Sequence, residues 1–149
     1  MKQCIAILVC LMSLSTIANA QQCDKKYKLK TERVVTINAD SSEGEELPFT
    51  VDLIISKDSI FVTIAFPDGN TAEINGKHSS TDCKMNADYT NGSIAYKTDA
   101  TLNANGQTRE AKMLFNIEAK DGKMKVYGVP EEDPNEKICF IIKEKEEVK

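Results

Sequence analysis

A two-residue alternation sustained across residues 49–74 constrains this chain more than any other feature. Phe49, Val51, Leu53 and Ile55 alternate with Thr50, Asp52 and Ser56. After Lys57-Asp58 the pattern restarts with Ile60, Val62, Ile64 and Phe66, and after Pro67-Asp68-Gly69-Asn70 it resumes with Ala72 and Ile74. Successive side chains of a strand point to opposite faces, so period two in a segment rich in β-branched and aromatic residues specifies strands with one buried face. Pro67 presets φ, Asp68 bonds its own backbone and Gly69 accepts the left-handed conformation, which makes the second turn tight and the strands antiparallel. Ile54, Phe61 and Ala65 interrupt the polar face. Whether that face meets solvent, a second layer or a ligand is left open at this stage.

The remainder repeats the design. A strand is expected over residues 27–38, with Leu29, Val35 and Ile37 on one face and Val34 on the other. Cys83, Met85, Ala87 and Tyr89 alternate before Thr90-Asn91-Gly92 turns the chain. Ile94 to Leu102 and Ala111 to Ala119 alternate in the same way, and Asp121-Gly122 is the strongest hairpin signal, suited to a primed turn. Met124, Val126 and Gly128 share one face of the next strand. Pro130 and Pro134 bracket a loop, and Ile138, Phe140 and Ile142 supply the last strand. Residues 39–47 and 75–82 read as polar connections, and residues 143–149 as a frayed tail. The sum is an all-β chain of about eight antiparallel strands in an up-and-down meander, closed as a lipocalin-like barrel or packed as a β-sandwich.

Residues 1–20 stand apart. Lys2, the apolar run through Leu14 and Ala18-Asn19-Ala20 have the order of a secretory signal cleaved near Ala20, and the run is too short for a membrane helix. Residues 21–149 then form one domain in a periplasmic or extracellular setting, with no membrane span expected. Lys2 is the only charge removed, so 18 Lys and Arg face 23 Asp and Glu, a net charge of −5. That acidity, with Lys and Glu interspersed, disfavours nucleic acid and anionic lipid as partners. Three cysteines remain, Cys23, Cys83 and Cys139. Three pairings are possible, and Cys83 with Cys139 is favoured because both fall within strand patterns.

Few residues suggest chemistry. Asp40, Glu43, Glu45 and Glu46 around Gly44 supply oxygen ligands but match no calcium-loop spacing. The only histidine, His78, stands close to Ser79, Ser80, Asp82 and Cys83. A catalytic triad, however, is defined by groups converging from separate elements, not by crowding in sequence. Asp52 and Glu73 are carboxylates that nothing in the spacing selects for acid-base work. Asn91-Gly92-Ser93 satisfies a glycosylation sequon, and a surface turn accounts for it equally well. No catalytic motif, cofactor signature or metal site emerges, and an enzyme is not expected.

The runs Ser80-Thr81-Asp82-Cys83, Tyr89-Thr90-Asn91-Gly92 and Glu118-Ala119-Lys120-Asp121-Gly122-Lys123 resemble small exported β-meander proteins of Bacteroidota. The resemblance implies a bacterial envelope or extracellular setting and carries over no site. In architecture the chain resembles lipocalins distantly, but it has no tryptophan for their Gly-x-Trp signature.

Two functions fit this reading. One is binding of a small apolar ligand inside or at one end of the barrel, with Met85, Tyr96, Met113, Phe115 and Phe140 as candidate lining. The other is a cell-envelope module that meets a protein partner through an edge or through its acidic loops.

Overall fold

The computed structural model describes residues 23–149, so the expected signal and its cleavage site lie outside the described residues. Nine strands follow in order: β1 (Lys26–Ile37), β2 (Glu43–Leu47), β3 (Thr50–Ile55), β4 (Ser59–Ala65), β5 (Thr71–Met85), β6 (Gly92–Ala104), β7 (Gln107–Lys120), β8 (Lys123–Pro130) and β9 (Ile138–Val148). From β3 to β9 each strand pairs antiparallel with the next, and β9 returns to pair with β1. The result is a closed eight-stranded barrel, not a sandwich. β2 is an extra piece: Pro48, which has no N–H to donate, separates it from β3. β1 therefore pairs with β3 through Tyr27–Lys30 and with β2 from Val34 onward. Between these two pairings the Thr31 hydroxyl bonds both the N–H and the carbonyl of Val51, at 3.0 and 2.9 Å, standing in for a backbone partner.

Two irregularities shift the phase of the side chains. In β1 the register slips on both sides of Thr31, so Val34 joins Leu29 inside while Val35 and Ile37 face out. This corrects the expected grouping of Leu29 with Val35 and Ile37. In β5 the register slips between His78 and Ser80. Ala72, Ile74 and Gly76 point inward before the slip, and Cys83 and Met85 after it. An extra residue in one strand inverts the parity of everything beyond it. Residues 75–82, expected as an irregular connection, are thus the middle of one fifteen-residue strand.

One end of the barrel is closed. The β5–β6 turn folds inward: Asn86 Oδ1 accepts from the N–H of Thr90 and Asn91 at 2.9 and 3.0 Å, and Tyr89 takes a left-handed φ of 54°. That conformation is costly for a bulky residue, and here it lays the Tyr89 ring on Tyr27 with centroids 4.7 Å apart. Gly92, at φ 123°, lets the turn pass close to β5, since a Cβ there would collide with Lys84 O and Met85 Cα. Lys145 donates to the carbonyls of Asp88 and Tyr89 at 3.2 and 3.0 Å, tying the same turn to β9.

Cys23 bonds Cys83, with Cα atoms 6.3 Å apart, while Cys139 is a buried free thiol. The expected Cys83–Cys139 pairing is therefore incorrect. Cys83 points inward at the closed end, whereas Cys139 sits on the outer wall opposite Val35 and Tyr127. The disulfide holds the amino-terminal arm so that Cys23 is buried against the barrel core. Residues 143–149 are likewise no frayed tail: β9 runs to Val148 against β1, and the alternating Lys and Glu meet opposite charges in Lys30–Glu144 at 3.0 Å and Lys25–Glu147 at 3.1 Å.

The outer wall is polar for most of its area, with Asp52, Glu73, Lys97, Asp99 and Glu118 exposed. Ile54 and Phe61 pair across β3 and β4 on this face and are only half-buried, so no second layer covers them. Leu114 on this wall and Phe66 just beyond β4 are exposed large apolar residues. A membrane barrel requires the opposite polarity, an apolar band outside. Among the described residues no helix is long and apolar enough to cross a membrane.

In protein starting at Gln21, Cys23→Ser or Cys83→Ser should lower unfolding free energy by about 2–4 kcal/mol, read from urea denaturation. Unfolding the oxidised parent should expose one titratable thiol, and Cys139→Ser should expose none. Two titratable thiols in Cys139→Ser, in place of none, would contradict the pairing.

Candidate ligand cavity

The open end differs from the closed one in what fills it. Inward residues near the floor, such as Leu53, Ile60, Val62, Ile94 and Val126, are almost fully buried. Further up the same strands, Ile64, Leu102 and Ala111 are only half-buried. They surround a cavity of about 830 Å3 that opens between the β4–β5, β6–β7 and β8–β9 connections. This lies within the roughly 300–1,000 Å3 of small-molecule sites.

Its base is aromatic. Gly128 has no side chain, and a Cβ there would lie 3.3 Å from Phe115 and 3.5 Å from Phe140, so both rings settle over the β8 backbone. Met113, Ile74 and Ile138 rise from this base, and Phe49 leans in from the break after β2, its ring edge-on to Phe66 at 5.6 Å. The inner wall carries one hydroxyl, that of Thr36. It accepts from Glu45 N–H at 2.9 Å and donates to Glu45 O at 3.4 Å.

The rim is charged and firmly held. The β8–β9 loop is anchored at both ends, by Glu131 N–H on Lys112 O and by Ile37 N–H on Lys137 O, each 2.9 Å. Asp133 accepts from Asn135 N–H at 3.1 Å within it. Arg109, Lys112 and Lys137 contribute three cations to the rim, and Glu132, Asp133 and Glu136 three carboxylates. Arg109 and Glu132 lie 3.6 Å apart and are largely exposed, so their attraction is weak and screened.

Of the five residues expected as lining, the structure brings Met113, Phe115 and Phe140 together on the cavity wall. Met85 and Tyr96 are instead packed into the closed half, buried beside Tyr89 and His78. Phe49, Ile64, Ile74, Leu102 and Ile138 line the cavity without having been singled out. All five had the right parity; what parity does not reveal is height along the barrel axis.

The crowded polar residues near His78 do not converge. The His78 ring stacks on Tyr96 at 3.9 Å and shares a 2.9 Å hydrogen bond between Nδ1 and Thr98 Oγ1. Ser79 donates to Lys97 O, Asp82 pairs with Lys84, and Cys83 is in the disulfide. Two buried polar atoms among the described residues have no partner, His78 Nε2 and Tyr89 Oη, and both belong to the closed half. Burial raises the Tyr96 phenol to about 12 and also raises that of Tyr89.

Two of the carboxylates around Gly44 are engaged elsewhere. Asp40 accepts from Ser42, while Glu43 spans from Lys125 at 3.0 Å to Arg33 at 2.8 Å; these hydrogen bonds hold both carboxyls below their usual range. Among the described residues no group of three or more His, Cys, Asp or Glu is placed to hold a metal. Asn91 is exposed on its turn, and its Oδ1 accepts from Asp121 N–H at 3.1 Å.

Burial depresses the His78 pKa below the ordinary 6.5, against the opposing pull of the Ser59 and Ser56 backbone and of Asp58. The unfolded chain therefore binds this proton more readily. The contribution is complete above about pH 6.5 and declines as pH falls toward the folded value. The urea midpoint of the parent should fall between about pH 7.5 and 5.5, and His78→Gln should flatten that dependence, since no other histidine titrates there. An equal slope in both proteins would contradict the assignment. No protein-family model, curated protein or solved structure matched this chain.

Proposed function

We propose that this protein is an exported binding protein that holds a small apolar ligand in the open half of its barrel. The observation that carries this reading is the contrast between the two halves of one interior. The closed half is packed as a protein core normally is, and the open half leaves a hollow lined by Phe115, Phe140, Met113 and their aliphatic neighbours. Cores pack to the density of organic crystals, so a hollow of this size forfeits dispersion contacts that an apolar ligand restores. Export is supported by the order of residues 1–20 and by a disulfide, a bond that persists in oxidising compartments. His78, Ser79, Asp82 and Cys83 are each engaged in separate structural contacts, which supports binding over catalysis.

An apolar fluorescent dye such as N-phenyl-naphthylamine should bind with enhanced emission at one site per chain. Ala111→Trp, which places an indole in the hollow, should weaken that binding by about tenfold or more while leaving the melting temperature near that of the parent. Failure of the dye to bind, or undiminished binding to Ala111→Trp, would refute the proposal.

A further inference from the structure

We propose that the ligand is electrically neutral: a hydrocarbon body with at most one uncharged polar end, of the alcohol or ester type, directed at the rim. This rests on the reading of the cavity as a ligand site and concerns what that site selects.

Three observations converge. First, the wall below the rim offers nothing that pairs with charge. Phe115, Phe140, Met113, Ile74 and Leu102 are apolar, and the Thr36 hydroxyl is already bonded in both directions to the Glu45 backbone. A charged group drawn below the rim would lose its hydration without a counter-ion, and a polar one would lose hydrogen bonds to water that the wall cannot replace. Second, the unpartnered buried polar atoms, His78 Nε2 and Tyr89 Oη, belong to the closed half and are not on the cavity wall. Among the described residues the Thr36 hydroxyl, already bonded, is the polar side-chain group of the wall below the rim.

Third, the rim draws in neither sign. Three cationic and three acidic residues line it. A carboxylate approaching Arg109 meets Glu132 beside it, and Lys137 is directed over the Tyr127 ring at 4.5 Å. An ammonium approaching Asp133 or Glu136 meets Arg109 and Lys112 on the same rim. A site that selects ions by sign needs an excess of the opposite sign.

The test is displacement of N-phenyl-naphthylamine by decanol, decanoate and decylammonium, at low salt, from protein starting at Gln21. Decanol should displace the dye at a concentration at least about fivefold lower than either ion. A smaller advantage, or an ion that displaces better, overturns the proposal while leaving the cavity reading intact. Absence of dye binding defeats the cavity reading and the proposal with it. The double variant Glu132→Gln/Glu136→Gln, which gives the rim an excess of cationic residues, should improve decanoate displacement relative to that of decanol. Unchanged decanoate displacement would overturn the role assigned to rim balance.

Discussion

The pairing of β1 with β9 removes the two free edges that a meander would otherwise expose, and the rest of the molecule follows from that closure. The seam is long because its lower half is built from charge as well as backbone: Lys30 meets Glu144, Lys25 meets Glu147, and Lys145 crosses the floor to the carbonyls of the β5–β6 turn. Each exposed ion pair contributes little alone. Their value is in keeping two strands in register where few apolar residues do so. Once eight strands close, the interior radius is set, and the space inside is either filled by side chains or left for one small ligand.

The two ends resolve that choice differently. At the closed end three elements bring additional groups into the interior: the arm carrying Cys23, the turn carrying Tyr89 and the bulged lower half of β5. The left-handed backbone at Tyr89 is tolerated because Asn86, Lys145 and a tilted ring contact with Tyr27 hold it from several directions. At the open end the β8–β9 loop bonds to Lys112 and Ile37, and Phe49 of the β2–β3 connection lies on the cavity wall without filling the interior. The hollow above Phe115 and Phe140 is the direct result. A separate apolar cluster forms on the outer wall, where Val35, Cys139 and Tyr127 are adjacent and Glu43 bridges Arg33 to Lys125. Burial there raises the Cys139 thiol pKa, which keeps it protonated and unreactive.

Much of the barrel was legible in the sequence, because alternation and turn residues report strand existence directly. The alternation over residues 49–74 corresponds to β3, β4 and the start of β5, paired in the register their turns require. What escaped has physical causes. A single added residue at Ser79 inverted the parity of β5, so a continuous strand read as two strands and a gap. The Lys-Glu alternation of residues 143–149 has the composition of a solvated tail, and only its cross-strand partners in β1 make it a strand. Strand patterns favour Cys83 with Cys139, but a disulfide needs only proximity, and Cys139 lies on the outer wall while Cys23 meets Cys83. For the cavity, alternation placed Met113 and Phe115 inside but placed Met85 and Tyr96 there equally. Which of them meet a hollow depends on how the ends are closed, and that is decided by contacts distant in sequence.

The central claim, that one interior holds both a packed half and a receptive half, can be read from three methionines. Met113 lies on the cavity wall, whereas Met85 and Met124 are buried at the closed end. With methyl-labelled methionine, nuclear magnetic resonance spectra recorded during titration with decanol should show the Met113 methyl shifting and gaining contacts to ligand protons, while the Met85 and Met124 methyls stay in place. If all three shift together, or Met113 does not respond, the division of the interior proposed here is wrong.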